Sequence, residues 1–261
     1  MCGAAFADDH AFRGMGDQLL DSNDPSALHG LMYTDRRPRG TRQWRSQLLT
    51  RIYSAILVLM ASSAALGQVP GGCETKVADR TGVSGCYLVA SEQLGTLPAG
   101  PLFWHLYTYG NLLDAKAQSG SRSTVVESLG QVWRYTIAAK DWRPAGGKLM
   151  AVVGPLPHEA GRVYTARYME AVFMPGTHTS VHTHAGPEAW YVLAGTQCLE
   201  TPDGITVVRA GEGSLVPEGP PMMLSSVGTE TRRSVLLVLH DSSKPWTMPE
   251  MQWKPKGLCP K

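Results

Sequence analysis

The sequence predicts a mainly β protein, built as a sandwich or a barrel. Glycine and proline are plentiful, at 28 and 18 of 261 residues, which is typical of a chain with many turns. Short apolar or alternating runs recur between these turns, most closely after Lys148. The chain is 43% hydrophobic and 18% charged, as in an ordinary globular protein. Its net charge of +2 provides no strong basic field, so no nucleic-acid partner is expected.

Residues 1–67 have the pattern of a disordered leader followed by a secretory signal. An arginine-rich segment (36–51) precedes a short apolar run (52–66) and a small-residue site that ends at Gly67. This predicts cleavage near Gly67 and an exported protein without a stable membrane anchor, because the apolar run is too short to span a bilayer comfortably. An uncleaved anchor is the alternative interpretation. A start of translation at Met32 would leave the residues before it outside the protein.

The rest of the chain divides at clusters of turn residues. The segment 142–147 contains Pro and two Gly residues and is the predicted boundary between two β-rich parts. We therefore predict an N-terminal β-rich module at 68–147, which could be a degenerate copy of the next one. A barrel follows at 148–245, and a tail rich in Pro, Trp and Lys at 246–261.

The predicted elements rest on alternation, on caps and on turn dipeptides. Asn111 is a candidate N-cap for a short helix, and Asp203-Gly204 is a strong hairpin signal. We predict a helix at 112–118, two strands around Gly130 within 123–139, and further strands at 87–94, 102–109, 149–153, 164–173, 189–193, 196–200, 205–208, 214–217 and 233–240.

Four cysteines follow the predicted cleavage site, and an oxidising compartment permits disulfides. Cys73 and Cys86 enclose a turn segment that contains two glycines, so a bridge between them is the first prediction. A bridge between Cys198 and Cys259 stays open, because spacing alone does not establish it.

Two histidines one residue apart define the candidate site. His182 and His184 lie on one face of a strand, because strand side chains repeat every second residue. Glu188 follows four residues after the second histidine. Two imidazoles and a carboxylate form a 2-His-1-carboxylate set for a divalent metal, with Fe, Mn, Zn, Ni and Cu as the candidates.

The same stretch resembles the first signature motif of the cupins, and a second stretch resembles the opening of their second motif. The matching positions are Gly176-x5-His182-x-His184-x3-Glu188-x6-Gly195 and Gly211-x5-Pro217-x-Gly219. The resemblance implies that the barrel at 148–245 is a cupin, a double-stranded β-helix or jelly roll. It also implies a small-molecule ligand or substrate, a reaction range of oxygenases, isomerases and decarboxylases, and a homodimer.

One position departs from the cupin pattern. Cupins with four metal ligands have a second-motif histidine where this chain has Met222, and a thioether is a weak ligand for iron, manganese or zinc. His178 shares strand parity with the two histidines, so it is either a further ligand or proton shuttle, or an exposed residue at the start of the strand. Tyr191 and Met222 are candidates to line a pocket, although either could be plain core.

The functional prediction has two forms. The first is an exported cupin-domain protein with a mononuclear divalent metal held by His182, His184 and Glu188, and no reaction is assigned to it. The second is a non-catalytic cupin that binds or senses a small molecule without metal. In that protein Glu188 would hydrogen-bond a histidine.

Overall fold

The fold is mainly β, with one short helix and one short 3-10 helix. A computed structural model describes residues 73–117 and 120–260, and the predicted leader and signal at 1–67 lie outside the described residues. The elements are a 3-10 helix (Val77–Asp79), β1 (Gly85–Thr96), β2 (Leu102–Tyr109), α1 (Leu112–Ala117), β3 (Ser123–Ser128), β4 (Gln131–Ala138), β5 (Lys148–Leu156), β6 (Val163–Phe173), β7 (His182–His184), β8 (Glu188–Ala194), β9 (Thr196–Thr201), β10 (Gly204–Arg209), β11 (Gly213–Val216), β12 (Met223–Val227), β13 (Arg232–Asp241) and β14 (Thr247–Pro249).

Three antiparallel sheets form the walls of the barrel. Their strand orders are β1-β6-β13-β8-β11, β10-β9-β12 and β14-β7. Alternate residues of the five-stranded sheet point into the barrel, where Trp190, Phe173 and Leu236 pack against Leu199 and Leu224 of the three-stranded sheet. The predicted jelly-roll barrel is confirmed.

A fourth sheet covers the outer face of the barrel. Its strand order is β3-β4-β2-β5, and its buried face contributes Trp104, Trp133 and Tyr135 to a second apolar core. The other wall of that core is the outer face of the five-stranded sheet, where Tyr168 stacks on Tyr135 with ring centroids 5.0 Å apart. The five-stranded sheet is therefore buried on both faces, as in the middle layer of a three-layer fold.

The strands do not separate at the boundary predicted between residues 147 and 148. β1, from the N-terminal segment, pairs with β6 in the barrel sheet along its whole length. β5, from the other side of the boundary, pairs with β2 in the covering sheet. The added β-rich layer is present, but the two segments exchange strands, since antiparallel partners need not be neighbours in sequence.

A buried carboxylate fixes the covering sheet to the barrel. Glu170 is fully buried on the outer face of β6, where it pairs with Arg80. It also accepts hydrogen bonds from Ser128 Oγ at 2.7 Å and from the backbone N–H of Leu129 at 3.0 Å. The turn between β3 and β4 is thereby held against the middle layer, and each oxygen of the buried carboxylate has a partner.

Two disulfides close the chain onto the barrel. They join Cys73 to Cys86 and Cys198 to Cys259, so the first predicted bridge is confirmed and the open one is formed. Within 73–117 and 120–260, no helix is long and apolar enough to cross a bilayer.

Candidate metal centre

Strands β7 and β8 bring the three predicted ligands together. The candidate ligand atoms of His182, His184 and Glu188 all lie within 4.8 Å of one another. His184 Nε2 lies 3.5 Å from Glu188 Oε2, and the two imidazole centroids are 4.9 Å apart. His184 and Glu188 are buried, whereas His182 is half-buried.

Backbone carbonyls fix the tautomer of both histidines. His182 Nδ1 lies 2.8 Å from the Ser180 carbonyl oxygen, and His184 Nδ1 lies 2.8 Å from the Trp246 carbonyl oxygen. A carbonyl only accepts, so each Nδ1 donates its proton and leaves the Nε2 lone pair available. Metal-ligating histidines are oriented in this way in general, with the other ring nitrogen donating to a carbonyl or carboxylate.

Alternation along β8 directs Glu188 into the barrel. Glu188 shares its face with Trp190 and Val192, both of which belong to the interior core. Its Oε2 atom is buried and has no hydrogen-bond partner among the described residues. An unpartnered buried carboxylate oxygen beside two free imidazole nitrogens is costly as it stands, and a bound cation would satisfy it. The three residues therefore fit a divalent metal ion.

The electrostatics of the site favour a neutral His182 and an ionised Glu188. Burial lowers the pKa of His182, and the neighbouring His184 lowers it further. Burial alone would raise the pKa of Glu188, but the adjacent imidazoles of His184 and His182 and the charge of Arg232 outweigh it, so the pKa is lowered. These are the protonation states in which the groups bind metals.

Acidification should destabilise the metal-free protein. Burial lowers the pKa of three histidines below the ordinary value of 6.5, namely His105, His182 and His240. As the pH falls, these histidines take up protons first in the unfolded chain. Their contribution to the free energy of unfolding is therefore complete above pH 6.5 and is lost as the pH falls through the folded-state pKa values. Urea unfolding after chelator treatment, at about pH 7.5 and about pH 5.5, should show a smaller free energy of unfolding at the lower pH. A constant or rising value would contradict the assignment.

The ligands open onto a largely apolar cavity of about 270 Å³. Apolar side chains from the two barrel sheets form most of its wall, including Met169, Phe173 and Leu224. The disulfide between Cys73 and Cys86 forms part of the same wall. A cavity of this kind, with few polar groups converging on one side, is typical of small-molecule sites.

The C-terminal tail covers one side of the site. β14 pairs with β7, and Trp246, just before β14, stacks on His184 with ring centroids 5.4 Å apart. The guanidinium of Arg167 also contacts the indole ring of Trp246, with its carbon 4.7 Å from the ring centroid. Glu74 accepts from the Trp246 indole N–H and pairs with Arg167 at 2.7 Å. The tail thus supplies both a wall and a hydrogen-bond acceptor to the metal centre.

Three predicted pocket residues lie elsewhere. His178 Nδ1 lies 3.0 Å from the Thr179 carbonyl oxygen, and the residue belongs neither to the ligand cluster nor to the cavity wall of the described chain. Tyr191 points from β8 into the core shared with the covering sheet, because it has the opposite parity to Glu188. Met222 pairs with His182 through its backbone, but its side chain belongs to the interior core and does not line the cavity. The prediction that they line the pocket is therefore wrong for Tyr191 and Met222.

Sequence reasoning missed Arg232, which lines the cavity with Glu188. It is 1% exposed and begins β13, directly before the exposed Arg233. Burial lowers the pKa of Arg232 to about 10, against the opposing effect of Glu188, so the guanidinium stays charged at neutral pH. Alternation gave no signal for Arg232, because residues on both faces of β13 are buried.

Comparison with solved structures adds a likeness of fold. No family model and no curated protein sequence matches the chain. A cupin-like protein from Thermotoga maritima is 15% identical over 33% of this chain and 64% of its own, with a TM-score of 0.31. A DMSP lyase from Ruegeria pomeroyi is 16% identical over 35% of this chain and 45% of its own, with a TM-score of 0.29. Oxalate oxidase in complex with the substrate analogue glycolate is 26% identical over 32% and 45%, with a TM-score of 0.27. The matched part is therefore less than two thirds of each of these proteins.

The fold and the positions of the signature residues in it agree with the resemblance seen in the sequence. A jelly-roll barrel carries His182, His184 and Glu188 on two successive strands, with the glycines of the motif in the connecting turns. In fold and in the placement of these residues, the described part of the chain therefore resembles a cupin domain.

Proposed function

We propose that the protein holds one divalent transition-metal ion in the cupin barrel through His182, His184 and Glu188, and uses it on a small-molecule substrate. The observation that supports this most directly is the fixed tautomer of both histidines, which leaves two Nε2 atoms beside an unpartnered carboxylate oxygen. Three protein ligands leave coordination positions for water and substrate. When bound, the ion would supply Lewis-acid or dioxygen-binding chemistry.

The ligand set narrows the choice of metal. Because the Met222 thioether does not line the cavity, the set is two nitrogens and one oxygen without sulfur. Such sets suit iron, manganese, zinc, nickel or copper(II), whereas copper(I) favours soft sulfur ligands. The protein's own residues would orient the ligands, exclude water with the apolar wall, and hold the Nδ1 protons away from the metal.

We also propose that the protein is exported. All four cysteines of the described residues are paired, and structural disulfides persist in oxidising compartments. This agrees with the secretory signal predicted from the sequence before Gln68.

Metal titration tests the metal proposal. The full oxidised chain, stripped with chelator, should bind about one equivalent of Zn²⁺ or Fe²⁺ in calorimetry and elemental analysis. His182→Ala should weaken binding by at least about a hundredfold, since it removes a ligand. Bound metal should also raise the free energy of unfolding, by about 2.7 kcal/mol at a hundredfold excess over Kd.

His178→Ala is the matched control. It removes a histidine from the approach to the same strand, but one whose ring lies outside the ligand cluster, so metal content should stay at the wild-type level. Sub-stoichiometric metal that His182→Ala leaves unchanged would contradict the proposal and favour a cupin that binds its small molecule without metal.

A further inference from the structure

Arg232 is a buried cation that lines the cavity and is not fully hydrogen-bonded within the described residues. Its Nη1 donates to Gln197 Oε1, and its guanidinium carbon lies 4.2 Å from the ring centroid of Phe173. Its Nε atom is buried and has no hydrogen-bond partner among the described residues. Nε and Nη2 form one edge of the planar guanidinium, and this edge matches the two oxygens of a carboxylate. Gln197 and Phe173 thus hold the group in place from other directions.

The charge balance of the cavity changes when a metal binds. Glu188 is the only acidic residue among those described that line the cavity, and Arg232 is the only permanent cation. Without metal, the cavity wall therefore carries one negative and one positive charge. A divalent ion that takes Glu188 as its ligand would leave the guanidinium without a counter-charge in an apolar enclosure, where uncompensated charge is costly.

We propose that Arg232 binds the carboxylate of a small monocarboxylic acid, and that this acid occupies the cavity beside the metal. The inference rests on the proposed metal site, because a metal bound to Glu188 would leave Arg232 as the uncompensated charge of the cavity. A monocarboxylate supplies one negative charge and two coplanar acceptors, which are the groups that a guanidinium binds best. The anion subsite is thus part of the same cavity as His182 and His184.

The cavity wall specifies the rest of the ligand. Much of the cavity wall is apolar, and its apolar residues include Met169, Ala171, Phe173, Leu224 and Leu236. A volume of about 270 Å³ accommodates about nine non-hydrogen atoms, if each takes the space of a water molecule. A carboxylate on a short apolar or aromatic body fits both the wall and the volume, and benzoate is a suitable probe.

Calorimetric titration with benzoate and with its neutral isostere benzamide tests the inference. In the Zn²⁺-loaded protein, benzoate should bind roughly tenfold to a hundredfold more tightly than benzamide, because only benzoate satisfies the charged donor. In the metal-free protein this preference should shrink, since Glu188 then compensates Arg232. Arg232→Met should abolish the preference in the loaded protein.

Arg233→Met is the matched control, because Arg233 is the exposed neighbour on the same strand and does not line the cavity. It should keep the wild-type preference. If Arg232→Met does not fold, Arg232→Lys replaces it, and loss of the paired donors should weaken benzoate binding several-fold while the charge is kept.

The results separate this inference from the metal proposal. Equal affinity for benzoate and benzamide in a wild-type protein that binds zinc would overturn the carboxylate subsite alone. A preference that persists unchanged in folded Arg232→Met would also overturn it, because the metal would then be the sole anion receptor. Failure to bind zinc, with an Arg232-dependent preference for benzoate, would overturn the metal proposal and uphold the subsite.

Discussion

Gly186→Ala should lower the free energy of unfolding by at least about 3 kcal/mol and abolish metal binding. Gly186 lies between His184 and Glu188, in the turn that presses against β13. A methyl group at this position would lie 1.9 Å from the Leu239 carbonyl oxygen and 2.8 Å from the Cα atom of His240. Both obstructing atoms belong to the backbone, so no side-chain rotation relieves the contact.

The damage should reach the metal centre because the same turn is hydrogen-bonded to β13. The Leu239 N–H donates to the Pro187 carbonyl at 3.0 Å, and the Asp241 N–H donates to the Ala185 carbonyl at 2.9 Å. Pushing the turn away from β13 separates these pairs and displaces the ligands that flank the turn. Urea unfolding and zinc titration measure the two effects.

Gly110→Ala provides the control for this substitution. A methyl group at Gly110 meets no atom within 4 Å, so the free energy of unfolding of this variant should remain within about 1 kcal/mol of the wild-type value. The steric argument is wrong if Gly186→Ala is as stable as that control and still binds zinc.

Removing the disulfide of the tail, with Cys198→Ala and Cys259→Ala together, should lower the free energy of unfolding by about 4 kcal/mol. The bridge closes a loop of 61 residues, and the entropy that a crosslink removes from the unfolded chain grows with loop length. The bridge between Cys73 and Cys86 closes a loop of 13 residues, and its removal should cost about 3 kcal/mol. Urea unfolding under non-reducing conditions measures both variants.

The tail has a second anchor that should survive the loss of its disulfide. Glu200 is fully buried and accepts hydrogen bonds from the backbone N–H groups of Gly257 and Leu258, both at 3.1 Å. We therefore expect the variant without Cys198 and Cys259 to remain folded at room temperature. A smaller loss of stability for the tail variant than for the variant without Cys73 and Cys86 would contradict the loop-length argument.

The sequence predicted the strands well wherever turn residues flank a run of alternating residues. β2 has the predicted bounds, and the predicted hairpin joins β9 to β10, although its turn residues are Pro202 and Asp203 and Gly204 already begins β10. β12 was missed because it follows a Gly-Pro-Pro turn and contains two serines, which lower its apolar signal. The pairing of β1 with β6 could not be predicted, since local patterns do not report which strands meet in a sheet.

The pairing of His182 and His184 was predictable because their spacing places both on one strand face, and Glu188 was predicted from the motif that follows them, whereas the rest of the cavity was not predictable. β8 is buried on both faces, so alternation alone did not reveal that Glu188 points into the barrel and Tyr191 points away from it. Arg232 and Arg233 are adjacent in sequence, and only the structure distinguishes the buried one from the exposed one. Trp246 follows His184 by 62 residues in the sequence and reaches the site because β14 pairs with β7.

The Trp246 carbonyl that holds the proton of His184 gives the metal centre an order of assembly. The motif from Gly176 to Gly195 is made before this carbonyl, so a ribosome-bound barrel would carry all three ligands while His184 could still adopt either tautomer. Only after the tail has been synthesised and docked is the imidazole set for coordination. Docking of the last segment is therefore the step that fixes the orientation of this imidazole.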